Sequence, residues 1–396
     1  MREPRVPRPT ARRRDGPGHP VPAGPAGRRR RAGRGGTGRA ERAERPGGGP
    51  RTGPRPVPGG GHPAGRPSRH THIFYYPWYG SPQFSGQWRH WPQGSVNPPD
   101  DIGSNYYPVL GPYDSGDLHG AVAQHMRWLR QAGVGVLVSS WWGQGSYEDQ
   151  HARVVLDAAA REGLQVAWHI EPYGGRDADS VVADIRYITA EYGRHPAFHR
   201  DPEHGHRTAY YIFNSLLTVD WSALHQVDDE AIVMAQTWDT SRIGDFGGAY
   251  TYDAIATHNE PDWSGVAAFC AERGMVWAPS LGPGYIDDRA VPGNTTPTLD
   301  RADGATYDQE WSYALASGNA GGVPDWVSIT SFNEWHEGSM IEPATAHTPG
   351  SLEYLNYEGA YGRTGRRAET AYLDRTAQWA AHFEDRLAAA RRHAKG

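Results

Sequence analysis

A chain of 396 residues with 37% hydrophobic side chains is long enough for one large domain or two ordinary ones. Its formal charge of −5 hides a division: residues 1–68 hold 17 Arg against 4 acidic residues, a local +13, which leaves −18 on the remainder. That remainder argues against a polyanion partner, the single cysteine, Cys270, rules out an intramolecular disulfide, and no apolar run reaches the roughly 18 residues of a membrane span.

Residues 1–68 are almost entirely Arg, Pro, Gly and Ala, with no Phe, Trp or Tyr and almost no aliphatic side chain. They cannot bury enough apolar surface to offset the entropy of ordering, so a disordered extension is expected, followed by one catalytic domain over 69–396. The run Arg28–Arg31 suggests a basic arm for nucleic acid or another anionic surface. A stretch translated from a start codon ahead of the true one is the other reading. The lack of Lys and of aromatics that could stack on bases favours the second, and no nucleic-acid partner is expected. The apolar middle of a signal peptide is missing. The chain as written is expected in the cytoplasm, or outside the cell if the true start and its signal were lost.

From His72 onward, short apolar runs alternate with amphipathic stretches. The first predicted strand is Ile73–Tyr79, followed by the polar, aromatic segment Gly80–Pro112. A helix is expected over Leu118–Ala132, with Val122, His125, Met126 and Leu129 on one face and Asp114, Ser115 or Asp117 as its cap. The pattern continues as strand Val134–Ser140, helix Gln150–Glu162, strand Gln165–Ile170, helix Ser180–Tyr192, and strands Thr208–Phe213, Ala231–Ala235 and Ala249–Tyr252. Helix Trp263–Arg273, strand Met275–Pro279, helix Asp303–Ser317, strand Trp326–Phe332 and a closing helix Glu369–Arg391 complete it. Cys270 reads as a small core residue of its helix. About eight strands separated mostly by helices fit an α/β (β/α)₈ barrel, a TIM barrel. The first strand runs into Trp78-Tyr79-Gly80-Ser81-Pro82, without the glycine fingerprint of an open dinucleotide-binding sheet.

Function in such a barrel collects at the C-terminal ends of the strands. These ends carry Tyr76 and Trp78, Trp141 and Trp142, His169, Glu171 and Tyr173, Tyr252, and Asn333, Glu334, Trp335, His336 and Glu337. With 15 Trp and 21 Tyr against 8 Phe, the aromatics favour rings with a polar tip, which suit stacking on and hydrogen bonding to sugars. No Ser or Cys nucleophile stands among them, and no zinc spacing; His70/His72 and His204/His206 sit in polar loops, so neither a metal nor a cofactor is expected. Two carboxylates, Glu334 and Glu337, follow the last strand. Glycoside cleavage commonly needs two carboxyl groups, one to protonate the departing oxygen. Glu342, before Pro343, reads as structural.

Four segments carry a resemblance: Phe74–Gly80 (FYYPWYG), His169–Asp177 (HIEPYGGRD), Pro279–Asp287 (PSLGPGYID) and Ser331–Gly338 (SFNEWHEG). Together they resemble glycoside hydrolase family 99, the endo-α-1,2-mannosidases and endo-α-1,2-mannanases, from about His72 to about Arg386. The resemblance implies a (β/α)₈ barrel, retention of configuration and no metal. It implies Glu337 as general acid/base and Glu334 as the base toward the sugar's own 2-hydroxyl, which attacks C1 to form a 1,2-anhydro sugar. By the same likeness Glu171 and Tyr252 line the subsite of the reacting mannose. Trp142 stands where bacterial members have Trp and animal members Tyr, which leans toward a mannanase. Tyr76, Trp78, Trp141, Trp142, His169, Glu171, Tyr173, Tyr252, Asn333 and Trp335 are expected to bind substrate, an α-mannan or high-mannose glycan, in a monomer with no membrane partner. A related endo-α-glucanase and an inactive carbohydrate-binding barrel are the competing readings, and the presence of both Glu334 and Glu337 opposes the second.

Overall fold

The computed structural model describes residues 67–252, 263–316, 323–346 and 349–393. In chain order these form β1 (Ser68–Tyr75), the one-turn helix α1 (Pro82–Ser85), α2 (Ala121–Gln131), β2 (Val134–Trp141), α3 (Tyr147–Glu162), β3 (Gln165–Ile170), α4 (Ala178–Tyr192), β4 (Thr208–Ile212), β5 (Ala231–Gln236), β6 (Gly248–Tyr250), α5 (Ser264–Arg273), β7 (Val276–Ala278), β8 (Ser280–Leu281), α6 (Ala305–Ala316), β9 (Val327–Ile329), α7 (Arg366–Glu369) and α8 (Ala371–His393). The extension lies outside the described residues except at its end. Ser68, expected to belong to it, is instead the first residue of β1: its N–H meets the Gly133 carbonyl at 2.8 Å and its hydroxyl meets Glu384 at 2.5 Å.

Helix ends follow the local chemistry. None of the three cap candidates is the N-cap of α2, which starts at Ala121 with Gly120 at that position; Asp117 nonetheless accepts the N–H groups of Gly120 and Ala121 at 2.8 and 3.0 Å. Ser146 caps α3 through the Asp149 N–H, and Asp177 with Ser180 forms a reciprocal capping box on α4. Gly163 ends α3 in the left-handed region, at φ +70°.

All strand pairings are parallel, in the order β7-β6-β5-β4-β3-β2-β1-β9-β8. The single strand expected at Met275–Pro279 is two. Pro279 has no N–H to give a neighbour, so the backbone breaks there. The carbonyls of Trp277, Pro279 and Leu281 nevertheless accept in turn from Trp326, Ser328 and Thr330 at 3.3, 3.1 and 2.8 Å. Residues 276–281 therefore serve as one stave between β6 and β9, and the sheet comes round into a nearly closed (β/α)₈ barrel. The crossovers after β4 and β5 use 3₁₀ turns, Ser222–Val227 and Thr240–Arg242.

The two-residue period of a strand decides which side chains face the barrel axis. In β1, Phe74 points inward against His169, Tyr211, Tyr250 and Tyr252, with ring centroids 4.7–5.7 Å apart. Tyr75 points outward, its hydroxyl 3.0 Å from His125 of α2. In β3, His169 faces in while Trp168 stacks outward on Tyr192 of α4. In β2, Ser140 faces in and Trp141 faces out. The barrel interior is thus a floor of aromatic and imidazole rings beneath the C-terminal strand ends.

Candidate active site

The turn after β9 is fixed by hydrogen bonds within it and to the chain leaving β1. Ser331 Oγ accepts the Glu334 N–H at 2.8 Å. Asn333 exchanges hydrogen bonds with the backbone of Tyr76, Oδ1 accepting at 2.8 Å and Nδ2 donating at 3.0 Å, which pulls the chain out of β1 at Tyr76 rather than at Tyr79. The Trp335 indole N–H donates to Glu342 at 2.9 Å and its backbone N–H to the Tyr79 hydroxyl at 3.2 Å. Glu342 is fully buried and accepts from the Trp335 indole and the Tyr113 hydroxyl. Beyond Glu337, Gly338 has φ +58°, and an added Cβ would stand 2.6 Å from the Ile286 side chain. Arg301, caged by Tyr106, Tyr357 and Tyr372 at 4.7–4.8 Å, donates to the carbonyls of Gly338 and Met340 at 2.9 and 2.6 Å and fixes the exit of the turn.

Glu334 is buried and its carboxyl is held well above the ordinary carboxylate value. Burial is the largest cause, then the charge of Glu337, with Glu171 adding to it; the backbone N–H groups of His336 and Glu337 pull the other way. Glu337 is only partly buried, and the Tyr252 hydroxyl donates to its Oε2 at 3.5 Å. The Tyr252 hydroxyl also meets that of Tyr76 at 2.5 Å. Burial first, and then the carboxylates, hold both phenols far above their usual value, so they remain donors: Glu171, Glu334 and Glu337 act on Tyr76, and Glu337 leads on Tyr252. Glu171 is itself oriented by Ser140 Oγ, which donates to its Oε1 at 2.7 Å. The His169 Nδ1 lies 3.1 Å from the same oxygen but off the hydrogen-bonding direction, while its Nε2 meets the Tyr250 hydroxyl at 3.1 Å.

Of the expected residues, Tyr76, His169, Glu171, Tyr252, Glu334 and Glu337 come together. Trp78 stands at the rim, packed on Tyr76 and stacked on His90, each with centroids 4.5 Å away. Trp142 is half-buried and two residues on from the inward-facing Ser140. The Tyr173 hydroxyl turns away to Ser180 at 3.2 Å and to Asp184. Trp141 and Trp335 are corrected: both are 0% exposed and offer no surface to a sugar. Trp141 lies between sheet and helices, its indole N–H on Asp149 at 2.9 Å and its ring against Tyr187 of α4. Asn333 is corrected too, since its amide is committed to Tyr76 and to the Tyr113 hydroxyl. Sequence reasoning missed His90 and Arg301. His90 adopts φ +61°, rare for a residue with a side chain, and nothing in its neighbours announces that.

A parallel barrel with paired carboxylates at a strand end, over an aromatic floor, defines the (β/α)₈ class of sugar-processing enzymes. The glycosyl hydrolase family 99 model matches residues 67–385. The mouse glycoprotein endo-alpha-1,2-mannosidase is 35% identical over 358 residues, 79% of this chain and 74% of that one. A human glycoprotein endo-alpha-1,2-mannosidase-like protein is 36% identical over 359 residues, 79% and 75% of the two chains. A solved GH99 endo-alpha-mannosidase from Bacteroides thetaiotaomicron superposes with a TM-score of 0.70 at 34% identity, covering 80% of this chain and 98% of that one. The chain belongs to glycosyl hydrolase family 99 and is a glycoside hydrolase of endo-acting type.

Proposed function

We propose that this enzyme cleaves internal α-mannosidic linkages in an α-mannan or high-mannose glycan, with Glu334 and Glu337 as its working pair. One observation carries the reading: two carboxylates share one turn at a strand end, and each raises the electrostatic cost of charging what surrounds it. Family resemblance supplies the roles. Glu334 takes the proton of the 2-hydroxyl, O2 bonds to C1, and Glu337 protonates the departing oxygen as the glycosidic bond breaks. Water, deprotonated by Glu337, then opens the 1,2-anhydro sugar, and two inversions retain configuration. A carboxylate held above its usual pKa is a stronger base once ionised, which suits a proton as weakly acidic as that of a sugar hydroxyl. The partly exposed Glu337 can reach both a leaving group and incoming water.

Digestion of an α-1,2-branched mannan and of a glucosylated high-mannose glycan, with the products sized, tests the substrate. Internal cuts that release oligosaccharides are expected. Release of single mannose units alone, or activity on α-1,3-glucan with none on mannan, would contradict the reading, the second in favour of the glucanase.

A further inference from the structure

His336, between the two carboxylates, has no part in the steps above, yet its ring is held firmly. Its Nε2 lies 3.1 Å from the main-chain carbonyl of His90. That carbonyl can only accept, and it also takes the Gln93 N–H at 2.9 Å, so Nε2 carries the ring proton. Burial lowers the imidazole to about 4, so the ring is neutral in ordinary conditions and Nδ1 keeps a lone pair. Nδ1 is 3.7 Å from Oε1 of Glu334. While Glu334 is ionised, two acceptors face each other and no hydrogen bond can form. Once Glu334 holds a proton, the pair becomes donor and acceptor, and the His336 backbone N–H, donating to the same Oε1 at 3.1 Å, keeps the carboxyl beside the ring. Glu337 and Glu171 bear on Glu334, and so do the phenols of Tyr76 and Tyr79. His90, with Arg89 beside it, and the Tyr79 ring pack against His336.

We infer that His336 is a positioning residue for the proton that Glu334 takes, its Nδ1 accepting a hydrogen bond from Glu334 only in the interval when that carboxyl is protonated. The inference rests on the reading of Glu334 as the base. In the first half-reaction the O2–H bond breaks, the proton passes to Glu334, and O2 bonds to C1 as Glu337 gives its proton to the leaving oxygen. While the anhydro sugar exists, Glu334 is a neutral acid donating to Nδ1. In the second half, water adds to C1 and gives a proton to Glu337, the C1–O2 bond breaks, and O2 recovers its proton from Glu334. His336 ends unchanged.

Two substitutions separate this role from a structural one. His336→Gln sets an amide N–H near the place of Nε2, keeping the His90 contact without an acceptor at Nδ1. His336→Asn sets an amide oxygen near Nδ1 and gives up the His90 contact. The full chain is assayed on mannan for kcat, KM and pH profile, with melting curves, beside Glu334→Gln. His336→Gln is expected to lower kcat about tenfold with KM little changed. It should also move the acid limb of kcat/KM to lower pH, because protonated Glu334 has lost its acceptor. His336→Asn should stay within about threefold of native kcat, with the native limb. The reverse order, or two variants equally impaired with the limb unmoved, would overturn the inference and leave His336 a support acting through His90. If Glu334→Gln is inactive while His336→Gln keeps native kcat and limb, the inference fails alone. If Glu334→Gln keeps native turnover, the base assignment fails and takes the inference with it.

Discussion

The two ends of the barrel differ in what surrounds their buried carboxylates. At the N-terminal end, Asp201 accepts from His204 Nδ1 and from the Glu203 N–H, both at 2.8 Å. Burial opposes its charge, but these donors outweigh burial and hold the carboxyl well below the ordinary range. Glu384 of α8 follows the same pattern: burial opposes, while hydrogen bonds from His70 and Ser68 prevail. Asp325, also at that end, is raised by burial, with the Trp277 N–H and His204 opposing. At the C-terminal end, burial raises Glu334, and the charges that add to the shift are two more carboxylates, Glu337 and Glu171. Imidazoles and N–H donors face the carboxylates of the N-terminal end, although burial still prevails at Asp325, whereas further carboxylates face Glu334, and that like-charge company marks the working end.

The largest expected effect is on turnover. Glu334→Gln and Glu337→Gln should each lose ~10²–10⁴ in kcat on an unactivated mannan, with the circular dichroism spectrum unchanged, whereas Asp201→Asn, assayed well below its melting temperature, should remain active. Near-native activity in Glu337→Gln would erase the difference between the ends.

Stability should change with opposite sign. Asp201→Asn loses hydrogen bonds to a buried charge and should cost about 1.5–3 kcal/mol in urea unfolding near neutrality. Because the folded-state pKa of Asp201 is depressed, its contribution is present above the unfolded value and disappears as pH falls through the folded one. The folded-state pKa of Glu334 is raised, so its ionisation costs stability above the unfolded value. Glu334→Gln should therefore unfold at higher urea than the native chain near neutrality, and the advantage should vanish in acid. A lower midpoint for Glu334→Gln at neutral pH would show that its charge supports the fold.

A smaller effect concerns pH. Activity that needs ionised Glu334 falls below its raised pKa, and the Glu337 charge is part of what raises it. Glu337→Gln, assayed on a mannosyl donor whose leaving group needs no acid, should move the acid limb of kcat/KM downward. An unmoved limb would assign it to another group. The smallest effect is at Trp142: Trp142→Tyr should shift relative kcat/KM from a Man-Man toward a Glc-Man substrate, since an indole face packs on sugar C–H groups where a phenol offers a polar contact. An unchanged ratio would place Trp142 outside that subsite.

Much of this was legible from spacing. The strand expected at Gln165–Ile170 has those bounds, because an apolar run between the Gly163 stop and the polar Glu171-Pro172 has little freedom to shift. The strand expected to stop at Pro279 instead resumes at Ser280, because the proline interrupts the pairing without ending the stave, which local spacing does not reveal. Parity would have sorted Trp142 from Trp141, had the inward face of β2 been known; Ser140 reveals it only by meeting Glu171. Arg301 had no such signal. Its tyrosine cage comes from positions 106, 357 and 372, which only the closed barrel brings together.

The most direct test of the account is covalent. A 2-deoxy-2-fluoro mannosyl donor with a good leaving group lacks the 2-hydroxyl that Glu334 is proposed to deprotonate, while a carboxylate attacking C1 directly would still capture it. Intact-mass analysis after incubation should find the native mass and no turnover. A glycosyl adduct on Glu334 would contradict the 1,2-anhydro route, and with it the role of base assigned to that residue.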